Sequence, residues 1–183
     1  MRDVEMTSPR VIVVTDASVL INFLHMQRLD ILGAIPGYRF IVPEHVVAEV
    51  LRPRQGTLLA QAFDDGTLAR VSIKDLEVMT LFAELVHVMG QGEASCIALA
   101  ATNEWIVACD EKGLVRRVAI EKLGGGNLLN TTGILVLAIR AGLLSIDEAD
   151  RLKGILARHR FKLKFKSFRE VVGQMPSDQP DNE

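Results

Sequence analysis

The chain has 183 residues, 49% of them hydrophobic and 24% charged, with a formal net charge of −2. One domain of this length buries about 70% of its unfolded surface, so its core needs neither a disulfide nor a structural metal, and the composition is that of an ordinary soluble protein. The charge excludes a polycation: nucleic acid has to be held by a local basic patch or through metal.

The first nine residues include Asp3 and Glu5 and lack the apolar core of a signal peptide. Residues 175–183 hold two prolines, three acids and no basic residue. Both ends are expected to be flexible, around a single domain at 10–174. Val11–Thr15 is an unbroken apolar run that reads as a strand buried on both faces. Helices are expected at Ser18–His25 and Arg28–Leu32, closed by Gly33 and Pro36-Gly37. Arg39–Val42 is a second strand. Pro43 suits the first turn of a helix carrying Glu44–Leu51, and Pro53 ends it. A helix near Leu58–Phe63 leads through the Asp64-Asp65-Gly66 turn to a strand at Leu68–Ser72.

Asp75 is placed to cap a helix whose Val78, Leu81, Phe82, Leu85, Val86 and Met89 form one apolar stripe. Glu93–Ala101 is small and apolar beyond its first turn and reads as a deeply buried helix. Trp105–Cys109 is a fourth strand. A helix at Leu114–Leu123 is broken by Gly124-Gly125-Gly126, which lacks the lysine of a P-loop. Leu128–Asn130 is a short fifth strand and Thr132–Ala141 a helix. Ser145…Glu148 and Ser167…Glu170 have the spacing of capping boxes. Strands alternating with helices predict an α/β fold around a mainly parallel sheet. No apolar run approaches the roughly 20 residues of a membrane span. Cys96 and Cys109 sit in apolar runs outside any zinc-type spacing and read as inert thiols of a reducing, cytoplasmic compartment.

Four acids stand where the chain is otherwise apolar: Asp16 and Asp110 at the ends of two buried strands, Glu49 and Glu93 on helices. Ligand sites in open α/β sheets lie beyond the carboxyl ends of the strands. An all-oxygen set of this kind suits Mg²⁺ or Mn²⁺ acting on phosphate esters. Each acid alone has a simpler explanation. Asp16 or Asp110 can cap the next helix, Glu93 can answer the helix dipole, and Glu49 can lie on a solvated flank. Between Arg158 and Arg169 lie six basic residues and no acid, with Phe161, Leu163 and Phe165 alternating with Lys162, Lys164 and Lys166. Such a segment can track an RNA backbone or protect a sheet edge. Arg116 and Arg117 can bind phosphate or simply be solvated. His25, His45, His87 and His159 pair with no nucleophile motif.

The segments around these acids resemble, in order, the motifs of the PIN-domain family. Val13-Val14-Thr15-Asp16-Ala17-Ser18-Val19-Leu20-Ile21-Asn22 is similar to the first and Ile41–Val50, with Glu49, to the second. Gly92-Glu93-Ala94 opens the third, and Cys109-Asp110-Glu111 occupies the fourth. Leu129–Leu135 resembles a threonine-glycine turn of one prokaryotic branch. The resemblance implies a three-layer α/β/α sandwich with about five strands and a Mg²⁺- or Mn²⁺-dependent nuclease of single-stranded RNA, often the toxin of a toxin–antitoxin pair. It further implies Asp16, Glu93 and Asp110 as metal ligands, Glu49 as a fourth catalytic acid, and Ser18 and Thr131 as orienting hydroxyls. An antitoxin and a second copy of the chain are the expected protein partners. Two positions depart from the pattern: Glu111 replaces the second aspartate of a common pair, and Thr131 stands near the place of a fifth aspartate. They motivate an alternative, a weakened module that binds RNA or a partner without turnover. A receiver-type phosphoryl acceptor ranks lower, because Lys122 is poorly placed for it.

Overall fold

The computed structural model describes residues 10–173, so the expected flexible ends at 1–9 and 175–183 lie outside the described residues. The chain runs β1 (Val11–Thr15), α1 (Ala17–Met26), α2 (Asp30–Ala34), β2 (Tyr38–Pro43), α3 (Glu44–Glu49), α4 (Pro53–Asp64) and β3 (Ala69–Val71). It continues with α5 (Leu76–Leu85), α6 (Gln91–Asn103), β4 (Ile106–Ala108), α7 (Gly113–Leu123) and β5 (Leu128–Leu129). The last elements are α8 (Thr131–Arg140), α9 (Ile146–Arg158) and α10 (Arg169–Val172). The five strands are all parallel, in the order β3-β2-β1-β4-β5.

Helices cover both faces of this sheet, giving three α/β/α layers. Small residues explain how α6 reaches the middle. Its Ala94, Ser95, Cys96, Ala98 and Ala100 are buried, and it lies against β1, β2 and β4 while packing on α3, α5 and α7. Elsewhere α1 packs on α9 and α4, and α8 on α9 and α10. Phe23, Phe40 and Phe168 are fully buried in one core that also takes Val13, Val14 and Leu20. Removing each of these large side chains from water stabilises the fold by about 1.5–3 kcal/mol.

The connection from β1 to β2 and on to β3 runs to one side of β1, and the chain then crosses to β4 on the other side. Between the carboxyl ends of β1 and β4 the sheet therefore changes direction, which is where such sheets leave a crevice. Asp16 N–H donates to Ala108 O at 2.9 Å, so the first residue past β1 is locked beside the last residue of β4.

Several local expectations are corrected. Pro53 does not end α3, which stops at Glu49; it is the first residue of α4, where a missing N–H costs nothing. The second short helix begins at Asp30, not Arg28. Pro43 is the last residue of β2 and the cap of α3, with φ −63 and ψ 148. The Ser145–Glu148 capping box forms, but Ser167–Glu170 does not. There the Ser167 hydroxyl donates to Asp150 Oδ2 at 2.6 Å, and α10 starts only at Arg169. The 161–166 segment keeps its alternation of half-buried and exposed side chains yet pairs with no strand among the described residues, so its lysines are not on an edge of the described sheet. Among the described residues no helix is long and apolar enough to cross a membrane.

Candidate functional site

The crevice between β1 and β4 gathers most of the acids. Asp16 is 2% exposed and caps α1: its Oδ2 accepts from Ser18 N at 3.3 Å and from the Ser18 hydroxyl at 2.7 Å. The capping explanation is thus correct for Asp16 but incomplete. Its Oδ1, buried like Thr15 Oγ1, has no hydrogen-bond partner among the described residues. Buried carboxylate oxygens are ordinarily bonded, paired with a cation or bound to metal.

Asp110 follows β4 and is not the N-cap of α7, the next helix, which is Lys112. Its Oδ1 accepts from Thr131 N at 3.0 Å, and its Oδ2 from Asn22 Nδ2 at 3.0 Å and from the Thr131 hydroxyl. Asn22 Nδ2 also reaches Thr131 Oγ1 at 3.3 Å. Asn22 and Thr131 are buried, so the Asp110 rotamer is held from two elements far apart in sequence. Ser18 couples the two aspartates, because its hydroxyl oxygen also accepts the Asp110 N–H at 3.1 Å. Ser18 and Asn22 are four residues apart and share one face of α1. Asn22 is the residue to which sequence reasoning gave no role. The available signal was an amide one turn after Ser18 on a helix otherwise buried through apolar side chains.

Glu93 and Glu49 come from the α6 side. Glu49 is exposed, as a residue on a solvated flank is, but its carboxylate is not free: its Oε1 accepts the Gly92 N–H at 3.0 Å, at the start of α6. A Cβ at Gly92 would collide with that carboxylate, and a Cβ at Gly90 with the carboxylate of Glu93. The two glycines thus leave room for two acids at the N-terminal end of α6, where the helix dipole favours negative charge. Glu111 stands at the outer rim, exposed.

Electrostatics tie the five carboxyls into one group. Partial burial raises the Glu49 pKa, and the negative charges of Asp16 and Glu93 raise it further. Burial likewise raises Glu111, which feels Asp16, Glu93 and Asp110. Burial raises Asp110 too, against the opposing pull of its bonds from Thr131 and Asn22. No carboxylate of the group has a Lys or Arg within ion-pair distance among the described residues. Cys96 is buried and Cys109 partly so; burial lifts the Cys109 thiol to about 12 and Cys96 well above its ordinary value, which fits inert thiols.

Among the described residues no three of these side chains form a ready-made metal cage. The donors nevertheless fit a hard divalent ion. They are all oxygen, one buried oxygen is unsatisfied, and Mg²⁺ keeps several waters and needs only one or two carboxylates directly. Asp110 accepts three bonds of the roughly four that a carboxylate can take, which leaves capacity for an ion. Arg116 lines the cleft beside Asp110 and Glu111, as do Lys162 and Lys164. Arg117 and Lys166 are exposed but do not line it, and Lys122 is in the last turn of α7, also outside it.

The family model DUF3368, described as a PIN domain, matches residues 12–175, which take in all of the elements described above apart from Val11, the first residue of β1. No curated protein matches the chain. The chain belongs to the PIN-domain family, whose members are in general nucleases, hydrolases that typically use divalent metal ions.

Proposed function

We propose that this protein is a Mg²⁺- or Mn²⁺-dependent endoribonuclease that hydrolyses phosphodiester bonds of single-stranded RNA. The observation that carries this reading is the unsatisfied, buried Oδ1 of Asp16, set among carboxylates that lack cationic partners among the described residues. Asp16, Glu93 and Asp110 are the proposed ligands, with Glu49 completing the acidic wall. A divalent ion held there supplies a water of lowered pKa and neutralises charge on the phosphate. The chain's own part is orientation. Ser18 fixes Asp16 Oδ2 and turns Oδ1 free, while Thr131 and Asn22 hold both oxygens of Asp110. The Gly92 N–H fixes Glu49. Preorganised ligands need no reordering when charge develops in the transition state.

The test is cleavage of a labelled single-stranded oligoribonucleotide by the purified protein, with Mn²⁺ and with chelator. Asp16→Ala is expected to lower the rate by about 10³-fold, the scale of losing a key electrostatic group at the reaction centre, without unfolding the protein. An unchanged rate in that variant contradicts the proposal. The same activity unchecked inside a cell degrades its RNA, so a toxin restrained by an antitoxin is part of the proposal. Expression of the wild type should arrest growth and expression of Asp16→Ala should not.

A second reading draws on Asp110, whose two oxygens are already engaged by three donors, and on Glu111 at the rim. In it the protein binds RNA or a partner protein with little turnover. Calorimetric titration with Mn²⁺ separates the two, because a binding module need not take up metal.

A further inference from the structure

Beside Asp110 the acidic site opens into a cleft of about 610 Å³. Asp110 and Glu111 line it, and so does the Arg160–Phe165 segment that follows α9. We propose that this segment is a strap that holds an unpaired RNA strand on the Asp110 side of the site. Lys162 and Lys164 contact phosphates, and Phe161 stacks on a base. The proposal rests on the nuclease reading and adds where the strand lies and why it is unpaired.

Three observations support it. The cations are uncommitted: Arg116, Lys162 and Lys164 line the cleft, and none has a carboxylate at ion-pair distance among the described residues. A row of such charges beside a phosphodiesterase-type site is what a polyanionic backbone neutralises.

The strap is tied at both ends. Phe161 N–H donates to Leu156 O at 3.0 Å. At the far end Phe168 is fully buried and its N–H donates to Asp150 Oδ1 at 2.9 Å, while Lys153 Nζ donates to Lys166 O at 2.8 Å. The lysines are therefore presented from a fixed support rather than a loose tail.

The two rings differ. Phe165 meets Phe168 edge-on at 4.9 Å and lies 5.6 Å from the Lys153 ammonium, so it serves as an anchor. Phe161 is half-buried and lines the cleft without a ring partner among the described residues. A base can stack on it only if the base's own face is free, as in a single strand and not in a duplex.

The test is fluorescence anisotropy with a labelled 12-nucleotide RNA, as single strand and as duplex, using the full chain with Ca²⁺ in place of Mg²⁺ to slow turnover. Wild type is expected to prefer the single strand by at least about tenfold. The Lys162→Ala/Lys164→Ala variant should bind at least about tenfold more weakly. The slope of log K against log salt should fall by about 1.4, which is about 0.7 for each single-strand phosphate that the variant leaves without its lysine. Arg10→Ala, at the opposite end of β1, is the charge control and should bind as wild type does. Phe161→Leu keeps apolar packing without an aromatic face and should weaken binding about tenfold, whereas Phe161→Tyr should not; melting temperatures check that each variant folds. Unchanged affinity and salt slope in the lysine variant, or equal binding of duplex with Phe161→Leu inert, overturns the strap. So does binding of an acidic peptide without binding of RNA. If Asp16→Ala abolishes cleavage while the lysine variant binds normally, the strap alone fails. If the wild type binds RNA as described but never cleaves it, the nuclease reading fails and the strap stands.

Discussion

Asp16 and Asp110 follow adjacent parallel strands, yet they are treated in opposite ways. Both oxygens of Asp110 are engaged, with Thr131 and Asn22 donating three bonds to them. Asp16 is the more deeply buried of the two, and one of its oxygens has no partner among the described residues. The same residue type at equivalent strand ends thus carries two tasks. In the proposed reading Asp110 is a ligand held in place before the ion arrives, and Asp16 offers the ion an oxygen that no donor among the described residues engages. Folding energetics alone would not leave Oδ1 bare, since an unmade bond at a buried polar atom costs about 1–3 kcal/mol. In the proposed reading a bound divalent ion offsets that cost.

The contrast can be broken most forcefully from the Asp110 side. Thr131→Ala removes the hydroxyl bond, and Asn22→Ala removes the amide. Each is expected to lower metal-dependent activity by about 10–100-fold, the usual cost of losing a group that orients a metal ligand. Thr131→Ser should recover most of the loss. Steady-state kinetics against Mn²⁺ concentration decide this; full activity in both alanine variants would mean that Asp110 does not need its supports.

A smaller effect is expected at the α6 end. In Gly92→Ala the new methyl meets the movable carboxylate of Glu49 rather than backbone. The chain should fold while Glu49 is pushed off the Gly92 N–H. Apparent Mn²⁺ affinity should then fall by about tenfold, with little change in melting temperature, as read by calorimetry on the purified variant.

The smallest effect concerns pH. Folding raises the pKa of Glu49 above its ordinary 4.5, through burial and then Asp16 and Glu93. A raised carboxyl contributes stability that is present below its unfolded pKa and lost as pH rises through the folded value. Glu49→Gln keeps an acceptor for Gly92 without the charge. In chelator at pH 7 it should melt above wild type by no more than about 2 °C, a scale set by a fraction of a kcal/mol in a domain this size. The gap should close by about pH 4.5. A gap that widens on acidification would reverse the assigned sign.

The unequal treatment of the two aspartates was only half legible in the sequence. β1 and β4 are apolar runs that stop at Asp16 and Asp110, so both positions, and the parallel sheet, could be read from local pattern. The donors could not. Asn22 reads as one more position on a helix until the fold brings it to Asp110, 88 residues away. Gly92 reads only as the residue ahead of the buried helix at Glu93–Ala101 until Glu49, 43 residues earlier, is found against it. The errors have the same origin. Ser167 and Glu170 have capping-box spacing, but the tertiary bond from Ser167 to Asp150 overrides it. Pro53 is equally a stop and a start signal, and the chain uses it to start. In the strap the alternation of Phe and Lys correctly gave the two faces but not the absence of a neighbouring strand, which is decided by the order of the sheet.

The most direct test of the bare oxygen compares the melting temperatures of wild type and Asp16→Asn at pH 7.5, in chelator and in millimolar Mn²⁺. Asparagine retains the α1 cap and removes the carboxylate. Mn²⁺ is expected to raise the wild-type melting temperature by several degrees and to leave Asp16→Asn unmoved. An equal Mn²⁺ shift in both proteins, or none in the wild type, would contradict it.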